Sequence, residues 1–95
     1  MFIILLRFSA NKSQAPEFME AHKQWLKRGF ADCAFLLAGS LEPGQGGGIL
    51  AAGASRESIE QRVNEDPFVA EKVVTAEIIE LDPGIADERL QFLVP

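Results

Sequence analysis

At 95 residues, 47% of them hydrophobic, the chain has the length of one domain and enough apolar side chains for a core, which excludes a disordered segment. A formal net charge of −5 excludes a binder of the nucleic-acid backbone, which needs a basic patch to release counterions. The opening run MFIILL is too short to cross a bilayer and has no basic region before it, so no membrane partner or secretory signal is expected, and a cytoplasmic protein is.

Met1 to Phe8 is apolar except at Arg7 and reads as a strand covered on both faces, with Phe2, Ile4, Leu6 and Phe8 on one side and Ile3 and Leu5 on the other. A guanidinium in such a strand must reach the sheet edge or meet an anion, because an unpaired buried charge is very costly. Arg7 therefore answers either a structural carboxylate such as Glu77 or an anionic ligand, and the structural role is favoured. Ser9 to Gln14 is polar and turn-like. Pro16 suits the first turn of a helix running to Gly29 or Asp32, with Glu17 and Glu20 near its positive end and Lys27 and Arg28 in its last turns.

Phe18, Trp25, Leu26 and Phe30 recur on that helix at helical spacing. His22 stands four residues from both Phe18 and Leu26, so the one side chain with an ordinary pKa near neutrality is aimed at the core. The plain reading is a core histidine with one satisfied hydrogen bond; a functional reading requires a partner. Lys23, Lys27 and Arg28 read as the solvated side of the helix, and Trp25 as core more than as a platform for a cofactor. Cys33, the only cysteine, permits no internal disulfide and has no base beside it; it reads as a small apolar residue at a helix-to-strand junction.

Ala34 to Leu41 is a second strand, Glu42 to Gly48 a loop, and Ile49 to Ala52 a third strand. The glycines at 44, 46, 47 and 48 read as a flexible hairpin. A phosphate loop would lead from a strand into a helix, and this run lacks both the GxGxxG spacing and the lysine. Ser55 caps a second helix with Ile59 and Val63 on its inner face, and Pro67 ends it at Asp66. Phe68 to Lys72 is a short turn, Val73 to Leu81 a fourth strand, and the apolar Leu90, Phe92 and Leu93 of the tail are expected to dock. The order β-α-β-β-α-β predicts an α+β, ferredoxin-like sandwich with both helices on one face of the sheet. The other apolar face is expected to be buried against a second copy, as a homodimer.

Asp66 lies three residues after Val63 and seven after Ile59, which extends the inward stripe of the second helix toward His22. A carboxylate that accepts from one ring nitrogen fixes the tautomer and leaves the other nitrogen available as a base. The alternative is that Asp66 merely terminates the helix before Pro67.

Three pieces in order, the histidine in AHKQWL, the strand LLAGSL and the helix end NEDPFV, resemble the YCII-related (YciI-like) family of small α+β proteins, from Met1 to about Leu81. The resemblance implies a ferredoxin-like fold, assembly in the style of dimeric α/β barrels, and a His-Asp site at His22 and Asp66 with Ser40 beside Gly39. It makes residues 1–95 one YCII-related domain, with a core to residue 82 and an extension from 83. Arg7, Ser40, Trp25 and Phe68 are the expected ligand contacts. The family includes a dehydrochlorinase-like enzyme acting on a chlorinated hydroquinone, and its wider relatives include muconolactone isomerases. The chain departs from the family in having no tyrosine and in its tail GIADERLQFLVP. Two functions are therefore expected. One is a cofactor-free lyase or isomerase acting on a small aromatic or lactone. The other is a non-catalytic dimeric module that binds a small organic acid or assists another enzyme. No metal or other cofactor is expected, since no histidine-rich metal motif is present.

Overall fold

In the computed structural model, which describes residues 1–95, β1 (Phe2–Phe8) lies inside a four-stranded antiparallel sheet. Its neighbours are β3 (Gly46–Ala51) and β4 (Val74–Glu80), and β2 (Phe35–Leu41) flanks β3, giving the order β2-β3-β1-β4. The central position explains the nearly unbroken apolar run of β1, whose two edges are both paired. Phe2, Ile4 and Leu6 point into the core formed with α1 (Ala15–Ala31) and α2 (Arg56–Asn64), where they meet Trp25, Ile59 and Val63. Full burial of an aliphatic side chain such as Ile4 or Ile59 contributes about 1.5–3 kcal/mol. Both helices cover one face of the sheet, and the fold is the ferredoxin-like α+β sandwich expected from the element order.

α1 begins at Ala15 with Pro16 in its first turn and ends in a paired turn: Ala34 N–H donates to Gly29 O and Cys33 N–H to Phe30 O, both at 3.0 Å. Cys33 occupies the left-handed position of that motif, with φ 59°, and is exposed. Its role is to reverse the chain toward β2. Gly29 is buried because the Phe35 ring packs where a Cβ would stand. The inward stripe of α1 consequently runs through His22, Trp25 and Gly29, and Phe30 is 42% exposed, contrary to the sequence expectation.

Three further elements differ from expectation. Gly46 to Gly48, expected in a flexible loop, belong to β3 and pair with Arg7, Leu6 and Leu5. The reason is close approach: a Cβ at Gly46 would meet the Leu6 carbonyl, and its φ of +131° is open only to glycine. Residues Phe68 to Lys72 are not simply a turn, since Pro67–Ala70 form the short helix α3. The tail does not dock: its 3₁₀ segment Glu88–Leu93 leaves Leu90 47% and Phe92 68% exposed, and Ile85 is 98% exposed. That segment is held at its start by Asp87, where hydrogen bonds from the Arg89 side chain and backbone hold the carboxyl below the usual carboxylate range.

A bulge in β2 decides which side chains reach the helix face. The register with β3 shifts between Phe35 and Leu37, so that Phe35, Ala38 and Ser40 all oppose helix-facing positions of β3 (Ala51, Ile49 and Gly47). A regular strand would send Ser40 to the side opposite Phe35.

Candidate functional site

The dipeptide Asp66-Pro67 builds one side of the site. Proline keeps the residue before it out of helical geometry, and Asp66 is extended, with φ −65° and ψ 123°. That ends the second helical segment after Asn64 and its cap Glu65, and it makes Asp66 the N-cap of α3, with Pro67 in the first turn where its missing N–H costs nothing. Asp66 Oδ1 accepts the cap hydrogen bond from Phe68 N–H at 3.0 Å. The same oxygen lies 2.8 Å from His22 Nδ1, and the carboxyl is fully buried. Since Oδ1 is the acceptor in both bonds, Nδ1–H is the donor. In the neutral ring this leaves the lone pair on Nε2, which has no hydrogen-bond partner within the protein. Asp66 Oδ2 is buried without a partner of its own.

Two rings hold the imidazole in plane. Phe68 stacks on it at 4.1 Å between centroids and 4° between planes, and Trp25 lies on it at 5.7 Å and 27°. Trp25 is anchored in turn, because its Nε1–H donates to the Arg62 carbonyl at 2.9 Å and ties α1 to α2. The His22 side chain keeps 13% exposure, and the space it borders is a cavity of about 350 Å³, within the range typical of small-molecule sites. The floor is sheet: Leu6, Ala38, Gly47 and Ile49, with Ser40 and Phe8 toward the rim. The roof is α1, through Met19, His22, Lys23 and Leu26, and Phe68 closes one side. The small residues Ala38 and Gly47, diagonal neighbours on the helix face of β2 and β3, leave the space that larger side chains would fill.

Of the residues expected as contacts, His22, Ser40 and Phe68 line the cavity, and Asp66 stands behind His22. Trp25 and Arg7 do not belong to the lining. Trp25 is 1% exposed and supports His22 from within the core. Arg7 points to the opposite face of the sheet, half-exposed, and pairs with Glu77 at 2.7 Å; strand alternation alone puts it there, one residue from Leu6. Sequence reasoning missed Lys23, Met19, Phe8 and Gly47. Met19 and Lys23 flank His22 at positions i−3 and i+1 of the same helix, a signal that was present. Gly47 carried no signal without the strand register.

No family model matches the chain, and no curated protein does, so the likeness to the YCII-related family rests on the sequence motifs. Among solved structures, the chain is similar to the 5-chloro-2-hydroxyhydroquinone dehydrochlorinase TftG of Burkholderia phenoliruptrix AC1100, solved in complex with 2,5-dihydroxybenzoquinone. The TM-score is 0.69 at 17% identity, over 88% of this chain and 96% of that one. At that identity the two proteins share a fold, the small α+β sandwich described above.

Proposed function

We propose that the cavity takes a small aromatic or enolisable organic molecule and that His22 moves a proton on it, as a cofactor-free lyase or isomerase. The observation that carries the reading is the His22–Asp66 hydrogen bond at the wall of a ligand-sized cavity. Asp66 holds Nδ1–H, so Nε2 is the basic nitrogen on the side away from the carboxyl. In the proposed step a substrate C–H bond breaks, its proton goes to Nε2, and the electron pair moves into an adjacent carbonyl as an enolate. Return of the proton to a different carbon gives isomerisation; expulsion of a leaving group by the same electron pair gives elimination. Dehydrochlorination, the reaction in the name of the structural neighbour, is of the second type.

The unpartnered Asp66 Oδ2 supports a role beyond packing. Leaving a buried polar atom unsatisfied costs about 1–3 kcal/mol, which an apolar side chain at this position would avoid. A second reading, a binding or accessory module without turnover, is favoured by one observation: with Arg7 on the opposite face, the wall is mostly apolar and His22 is its only imidazole or carboxyl group. A screen of chlorinated hydroquinones, muconolactones and enolisable aromatic acids in deuterium oxide separates the two. Catalysis exchanges or eliminates at carbon, whereas a binding module gives complexes with no incorporation of deuterium. The variant Gly47→Val tests the cavity itself. A Cβ at Gly47 would find its nearest neighbour, Gly39 O, at 3.4 Å, an ordinary contact, and the methyls that valine adds beyond it fill the floor. Ligand affinity is expected to fall about tenfold or more, with the melting temperature retained.

We also propose that a second copy covers the face of the sheet turned away from the helices. Ile3, Leu5, Leu50 and Ile79 lie there with Leu37, which is 58% exposed, and the one charged pair among them, Arg7–Glu77, is internally neutralised. A contiguous apolar surface of this kind is costly in water. Sedimentation at micromolar concentration is expected to give a dimer; a monomer would remove this part of the reading.

A further inference from the structure

We propose that Lys23 sets the substrate class of the cavity, selecting small aromatic monoanions, carboxylates or phenolates, over neutral analogues; the inference rests on the cavity reading above. The chain carries 14 acidic side chains and a net charge of −5, yet none of those acids lines the cavity, whereas one lysine does. Lys23 follows His22 on α1, is exposed at the roof, and makes no ion pair, so its ammonium is free to meet a ligand. A second ammonium stands outside the lining: Lys12 Nζ sits 5.0 Å from the ring centroid of Phe8, a residue of the cavity wall. Asp66 is fully buried behind His22, with its bonded oxygen facing the imidazole and a backbone amide, and Glu20, three residues before Lys23 on α1, accepts from Gln24 and does not line the cavity. The site thus presents a cation to the ligand within an acidic protein, and because Lys23 is exposed the attraction is partly screened and falls with ionic strength.

The same placement bears on chemistry. An anion held at Lys23 is anchored one helix position from the base, with its ring over the Gly47–Ala38 floor. Charge that develops on an enolate oxygen during proton removal can be countered by the same ammonium.

The test is a calorimetric and NMR titration of the full chain with 3-hydroxybenzoate and its neutral counterpart 3-hydroxybenzamide, using wild type, Lys23→Met and Gly47→Val. Wild type is expected to bind the carboxylate at least about tenfold more tightly than the amide. Lys23→Met is expected to abolish that preference by weakening the carboxylate at least about tenfold more than the amide, and Gly47→Val to weaken both ligands. Equal binding of acid and amide by wild type, or a preference that survives Lys23→Met, overturns the role of Lys23; loss of both ligands in Gly47→Val would then leave the cavity reading standing. Binding that ignores Gly47→Val, or no binding with no shift at His22 or Gly47, overturns both.

Discussion

Trp25→Ala is expected to lower the stability of the protein by about 3–5 kcal/mol, the usual cost of truncating a buried large aromatic. The ring is 1% exposed, meets Phe35 edge-on at 5.2 Å, and donates to the Arg62 carbonyl, so the truncation opens a void and removes the hydrogen bond between α1 and α2 at once. It also removes one of the two rings that hold His22. Against a total of about 5–15 kcal/mol for a domain of ordinary stability, a loss of that size leaves little reserve. Urea unfolding reads it directly. Trp25→Phe separates the contributions: most of the ring volume remains, the Arg62 carbonyl still accepts from Glu65 N–H at 3.1 Å, and the expected loss falls to about 0.5–1.5 kcal/mol, the net worth of one hydrogen bond. A loss below 1 kcal/mol for Trp25→Ala would mean that the packing between α1 and α2 is not as described.

His22→Gln is the second large effect. Glutamine keeps much of the length and can hydrogen-bond Asp66, but it has no nitrogen that accepts and releases a proton near neutrality. For a substrate found in the screen, kcat is expected to fall by about 10²–10⁴, the range for loss of a general base, with KM changed far less. Turnover at the wild-type rate would remove His22 from the proton-transfer step. Loss of binding with no catalysis in either protein would favour the module without turnover.

The fold could be read from the sequence because its cues are local. The apolar run of β1, the proline at the start of α1, the Ser55 cap and the stop at Pro67 each act within a few residues. The His22–Asp66 contact was also within reach, because both residues sit on inward stripes of elements known to share one face. What could not be read depends on pairing across the sheet. The bulge that turns Ser40 toward the helices is visible only against β3, and Gly47 becomes a cavity floor only because Leu6 stands opposite it. Trp25 and Arg7 each carry two readings: the core position of Trp25 and the Arg7–Glu77 pair, both legible in the residues, are what the structure shows, and neither side chain lines the cavity as a ligand contact would. The tail was expected to dock because its residues are apolar, and within one copy of the chain nothing offers them a surface.

In the proposed site Asp66 holds His22 with Nδ1 protonated and Nε2 turned to a ligand. The most direct measurement is the long-range proton–nitrogen NMR spectrum of the His22 ring in its neutral form, with and without 3-hydroxybenzoate. The expected result is a proton on Nδ1, a bare Nε2, and a ligand-dependent shift at Nε2 that is lost in Gly47→Val. A neutral ring protonated on Nε2, or ring nitrogens that ignore a ligand bound to the protein, would contradict it.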